Sequence, residues 1–167
     1  MNLIKKMLGR AKAASTQDDT IYSPLKGKVV NLKEVNDPTF SEELMGKGIA
    51  IIPEDGRVVA PVAGTITTIF RTFHAIALKS SSGAEVIVHV GLETVNLGGE
   101  YFTAHVTDGE QVKVGDLLME FDMEKIIAAG YDIITPIVVP NSAEYKRVIP
   151  TEEAEVNEKA PLLTLTK

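Results

Sequence analysis

The chain has 167 residues, a formal charge of −6, 5% aromatic residues and neither cysteine nor tryptophan, which suits one domain with an aliphatic core. The missing cysteines exclude disulfide scaffolds, thiolate metal sites and thiol catalysis. The acidic balance argues against nucleic acid as a partner, and no apolar run approaches the ~20 residues of a membrane-spanning helix.

The chain opens with MNLIKKMLGRAKAAS, whose apolar residues are interrupted by Lys5, Lys6, Arg10 and Lys12. That interruption removes the apolar stretch of an export signal. Leu3, Ile4, Met7 and Leu8 instead fall at helical spacing, so residues 1–12 read either as a frayed terminus or as a short amphipathic anchor able to settle on anionic lipid. Residues 1–20 are expected to form a flexible tail ending in the polar connector STQDDT, and 21–167 a single domain.

From Ile21 onward, short β runs alternate with Gly, Pro and Asp turns. Strands are expected over GKVVNL, GIAIIP, RVVAPV, GTITTIF, HAIALKS, EVIVHVG, YFTAHV, DLLMEFD, ITPIVV and APLLTLT, with turn signals at PEDG, SSSG, LGGE, TDGE and KVGD. Two short helices interrupt them. PTFSEELMG places Phe40 and Leu44 four apart, and DMEKIIAAG offers Asp122 as N-cap and Gly130 as stop. The predicted class is all-β, an antiparallel sandwich or barrel-like fold with one or two short helices.

Three histidines are present, at 74, 89 and 105. His74 opens HAIALKS and His89 lies within EVIVHVG, and the turn SSSGAE joins these runs into a hairpin that places the two on neighbouring strands. By alternation His74, Ile76 and Leu78 share one face, and Ile87 and His89 share another. An even-parity register then points both imidazoles over one apolar floor. Such a pair suits metal binding, acid-base catalysis or covalent catalysis. Spacing alone leaves these open, although imidazole keeps a nitrogen lone pair free at neutral pH and so suits phosphoryl capture.

The ordered words PEDGRVVAPVAGTITTIFRTFHAIALKSSSGAEVIVHVGLETVNLGGEYF, DGEQVKVGDLLMEFD and ITPIVVPN closely resemble enzyme IIA of the glucose class in the bacterial phosphoenolpyruvate-dependent sugar phosphotransferase system. The likeness runs from about Ile21 to Lys167. It implies a β-sandwich and a free-standing phosphocarrier that needs no cofactor. His89 would take phosphoryl from the histidine-containing carrier HPr and pass it to a cysteine of a permease IIB domain. His74 would support the transfer and Thr72 would orient His74. Phe40, Leu44, Met45, Phe70, Ile87 and Val90 would form the apolar docking rim, and Asp37 and Glu93 would meet basic residues of HPr. Glu93 stands where the pattern commonly carries Asp, and Ile87 and Val90 where it commonly carries Phe, which flattens the rim. His105 has no counterpart in the pattern and is read as a surface or strand-edge residue. The resemblance also implies a monomer in the cytoplasm, in transient contact with the inner membrane face through its tail, and docking of regulatory targets such as transporters or kinases.

Other readings stay beside this one. A regulatory module would bind partners without taking phosphoryl. A zinc hydrolase would use His74 and His89 but lacks an H-x-H pair and a third ligand, although a partner carboxylate could share a zinc ion with the pair. A biotinyl or lipoyl carrier would modify Lys125, yet DMEKIIAAG reads as a capped helix and not as the tight β-turn such a lysine needs.

Overall fold

The computed structural model describes residues 19–167, so the amphipathic segment and residues 1–18 of the expected tail lie outside it. Among the described residues the strands, in chain order, are β1 (Asp19–Tyr22), β2 (Gly27–Val30), β3 (Lys47–Pro53), β4 (Arg57–Val59), β5 (Gly64–Ile69), β6 (Ala75–Ser80), β7 (Glu85–His89), β8 (Phe102–Ala104), β9 (Gln111–Val112), β10 (Leu117–Phe121), β11 (Thr135–Val139), β12 (Arg147–Pro150), β13 (Glu155–Val156) and β14 (Pro161–Thr166). β1 begins inside the stretch expected as connector. The short helices are α1 (Pro38–Ser41) and α2 (Met123–Ala128).

Each expected strand is present, and every strand pair is antiparallel. The large sheet runs β13-β2-β3-β11-β7-β6-β5-β9, and two three-stranded sheets, β1-β14-β12 and β4-β10-β8, complete the framework. Their inward residues meet in one core, with Ile51, Ile76, Val88 and Ile137 of the large sheet packed among Ile21, Val58, Leu118 and Leu163 of the small ones. The arrangement is an open sandwich. No sheet closes on itself, so the barrel-like alternative is not realised.

Alternation divides the large sheet into two faces. Ile49 and Ile51 point into the main core, whereas Ala50 between them joins a second, smaller cluster with Leu32, Val35, Phe40, Leu92, Ile134 and Val138. That second cluster lies on the outer face, and α1 lies over it. Asp37 caps α1 by accepting from the Thr39 N–H at 3.0 Å, and Pro38 sits in the first turn, where a missing N–H costs nothing. The helix is shorter than PTFSEELMG suggested. Glu43 enters the left-handed region at φ +58°, which ends helical geometry before Leu44.

α2 follows its sequence signals closely. Asp122 accepts from the Lys125 N–H at 3.1 Å, and Gly130 stops the helix at φ +95°. Lys125 therefore projects from a helix, 6.0 Å from the Tyr101 ring centre, and not from a carrier-type β-turn. None of the described helices is long and apolar enough to cross a membrane. β1 and β14 pair from Asp19 opposite Leu165 to Tyr22 opposite Pro161, which lays the two ends of the described chain side by side.

Candidate functional site

The site grows from the β6–β7 hairpin. Ala75 pairs with His89, Ile76 with Val88, Ala77 with Ile87 and Leu78 with Val86. Directly opposed residues share a face, so His89 and Ile87 point outward with Ala75 and Ala77. Ile76 and Leu78 point into the main core with Val86 and Val88. This corrects the expected parity, which had grouped His74 with Ile76 and Leu78 on the face of His89. The reason lies just before β6. Phe73 adopts a left-handed conformation at φ +56° and closes a turn by donating its N–H to the Phe70 carbonyl at 2.8 Å. His74 thus leaves the pleat of the strand, and its ring reaches the outer face.

There the two imidazoles meet edge to face, with centroids 4.8 Å apart and planes at 83°. The Phe70 ring stands edge-on to His74 at 5.7 Å, and the Phe40 ring lies 5.0 Å from His89. His74 is only 4% exposed, while His89 is partly accessible. Nδ1 of His74 lies 2.5 Å from the Thr72 hydroxyl. Nδ1 of His89 lies 2.8 Å from the Gly91 carbonyl. A carbonyl can only accept, so Nδ1 of His89 carries the proton, and the neutral ring has its lone pair on Nε2.

Electrostatics keep both rings neutral at pH 7. Burial and, second to it, the neighbouring His89 together lower His74 to about 4. Burial also lowers His89, opposed by its hydrogen bond to Gly91 and the negative charge of Asp37. The arrangement offers one accessible unprotonated nitrogen beside a second, buried imidazole on an apolar floor.

Residues 19–145 match the family described as phosphoenolpyruvate-dependent sugar phosphotransferase system, EIIA 1. The chain belongs to this EIIA family. It is 52% identical over 156 residues to the PTS system beta-glucoside-specific EIIBCA component of Dickeya chrysanthemi, covering 93% of this chain and 25% of that relative. It is 49% identical over 144 residues to the PTS system glucose-specific EIIA component of Halalkalibacterium halodurans, covering 83% of each. The solved glucose permease IIA of Mycoplasma capricolum superimposes with a TM-score of 0.82 at 31% identity, over 89% of this chain and 96% of that one. The chain spans about a quarter of the length of the beta-glucoside-specific relatives. The family it belongs to is the EIIA component of the phosphoenolpyruvate-dependent sugar phosphotransferase system.

The remaining residues expected at the site divide into floor, rim and core of this EIIA chain. Leu44 is 72% exposed and lies on the open surface, while Met45, Phe70 and Ile87 are partly buried beside the pair. Phe40 is 2% exposed. It is floor beneath His89, not rim, because α1 presses it into the second cluster. Val90 is not rim at all. Its side chain is fully buried in the main core, one residue out of phase with His89. Asp37 is half-buried at the α1 cap, and exposed Glu93 takes a left-handed conformation at φ +58°. His105 is exposed beside the end of β8, hydrogen-bonded to Glu120 at 2.8 Å.

Sequence reasoning missed two contributors. Phe73 is 40% exposed and lines an apolar groove of about 840 Å³ with Phe70, Ala104 and Val106, next to the pair. Gly91 provides the carbonyl that holds His89, and the one available signal was a glycine ending a valine strand. Among the described residues no three His, Asp or Glu side chains gather as a metal site. The hydrolase alternative therefore lacks its third ligand there.

Proposed function

We propose that His89 is the phosphoryl acceptor, through Nε2, and that His74 and Thr72 assist the transfer. What supports this reading above all is the hydrogen bond of His89 Nδ1 to Gly91, because it leaves Nε2 as the nucleophile. The Nε2 lone pair attacks the phosphorus of phosphorylated HPr. The N–P bond to HPr breaks as the bond to His89 forms, and the donor imidazole leaves with the electron pair. Nδ1 of His89 keeps its proton on Gly91 throughout. With the Thr72 hydroxyl donating to Nδ1 of His74, the His74 Nε2–H is free to hydrogen-bond a phosphoryl oxygen.

In the second half-reaction a cysteine thiolate of a permease IIB domain attacks phosphorus, and His89 recovers its lone pair. Leu44, Met45, Phe70 and Ile87 exclude water at the docking face, while Asp37 and Glu93 steer basic partner residues. A phosphoryl dianion on this apolar face opposes the docking of regulatory partners that prefer the bare imidazole. The sugar belongs to the permease, and the beta-glucoside- and glucose-specific names of the relatives point to that sugar class. A zinc ion held by His74 and His89 would need its remaining ligands from a partner, such as a carboxylate.

The test is intact-protein mass after incubation with phosphoenolpyruvate, enzyme I and HPr. Wild type gains one acid-labile phosphoryl group, His89→Ala gains none, and His74→Ala gains one without passing it on. A wild type that stays unmodified leaves the regulatory module as the better reading.

A further inference from the structure

The Gly91 carbonyl fixes the free nitrogen of His89, so whatever holds that carbonyl in place controls the nucleophile. Gly91 lies in a tight turn at φ +78°. A Cβ there would come within 2.6 Å of Thr94 Cγ2 and 2.8 Å of the Asp132 carbonyl, so the turn is packed on both sides. Leu92 donates its N–H to Asp132 O at 3.0 Å, which pins the far side of the turn to the segment after α2. On the near side the Thr94 hydroxyl donates to the Val90 carbonyl. Thr94 is fully buried, one of very few polar side chains so placed among the described residues. Buried hydroxyls cost free energy unless bonded, and this one spans the turn from 94 back to 90, across the residue whose carbonyl meets His89.

We infer that Thr94 is a positioning residue: its hydroxyl clamps the 90–94 turn so that the Gly91 carbonyl stays on Nδ1 of His89 and Nε2 stays bare. Thr94 touches neither imidazole by any hydrogen bond, and it acts through the turn. The inference rests on the reading of His89 Nε2 as acceptor for its catalytic consequence, but the tautomer it sets is a property of the resting protein.

The experiment is two-bond ¹H–¹⁵N correlation spectroscopy of the imidazoles above their titration, with the rate of phosphoryl acceptance from phosphorylated HPr measured alongside. Wild type shows His89 protonated on Nδ1. Thr94→Val, which keeps the shape and removes the donor, shows the second His89 tautomer and accepts phosphoryl about tenfold more slowly, while the His74 signals hold. Thr94→Ser restores both readouts. A Thr94→Val protein with the wild-type tautomer and rate overturns the inference. Should Thr94→Val fail to fold, two measurements remain. The wild-type Thr94 hydroxyl proton exchanges slowly with solvent, and folded Thr94→Ser keeps the Nδ1–H tautomer; the opposite result in either overturns the inference. A wild type that takes no phosphoryl overturns the acceptor reading alone, since the tautomer comparison needs no phosphoryl transfer.

Discussion

The backbone N–H of Val90 donates to the carbonyl of His74 at 2.7 Å, one step beyond the last β6–β7 pair, Ala75 with His89. This bond continues the ladder after both strands have left regular geometry. It ties the segment carrying one imidazole to the segment carrying the other, so their separation depends on backbone and not on side-chain packing alone. Positions set this way tolerate surface change and respond sharply to backbone change, which is the basis of the first prediction.

Gly91→Ala is expected to be strongly destabilising. The new methyl meets Thr94 Cγ2 at 2.6 Å and a backbone carbonyl at 2.8 Å, in a conformation that disfavours a side chain. Urea unfolding should show a loss of about 2 kcal/mol or more. A midpoint equal to wild type would mean that the turn is not tightly held.

Phe40→Ala removes the centre of the small outer cluster. Large-to-small changes of this kind cost about 3–5 kcal/mol. The loss falls on the floor of His89 while the main core stays intact. Denaturant unfolding measures the cost, and imidazole signals of His89 that do not move would contradict its contact with Phe40.

His74 links stability to pH. Its folded value of about 4 lies below the unfolded value near 6.5. Between those values the unfolded chain binds more protons, so the stability from neutral burial is full above about 6.5 and is lost as pH falls through about 4. The loss is on the order of 3 kcal/mol. Thermal melts at stepped pH should show a shallower acid slope for His74→Gln than for wild type.

Ten strands were legible in the sequence because each alternates or forms a solid apolar run, as in EVIVHVG. The strands not foreseen, β1, β9, β12 and β13, are all sheet edges. An edge strand has one neighbour and much solvent contact, so DTIY and RVIP carry little periodic signal and read as connector or loop. The histidine pair was legible from hairpin logic, but its geometry was not. Phe73 in a left-handed conformation redirects His74, and nothing in RTFHAI marks that turn. The placement of Val90 on the rim also conflicts with the alternation that puts His89 outward, and alternation prevailed.

Thr72→Val should separate acceptance from transfer. It removes the hydroxyl beside His74 Nδ1 and leaves His89 and Gly91 untouched. Mass spectrometry should still show one phosphoryl group, while onward transfer to a IIB domain slows about tenfold. Equal slowing of both half-reactions would assign Thr72 to His89 instead.

Leu44→Asp and Phe73→Ser alter exposed apolar side chains with no place in the core. Stability should stay within about 0.5 kcal/mol of wild type, while the affinity for HPr measured by calorimetry falls. Unchanged affinity in both would move the docking face elsewhere.

The pairing of β1 with β14 has an architectural consequence. Asp19 lies opposite Leu165, and Lys167 Nζ stands 3.8 Å from the Asp19 carboxylate. Polypeptide joined at either end therefore departs from a single corner of the sandwich. A tether of given length, counted from Asp19 or from Lys167, sweeps nearly the same volume whichever end carries it, and so holds the outer face of the large sheet near a covalently linked domain at a similar effective concentration. Gene fusion in either order is thus geometrically equivalent for this fold.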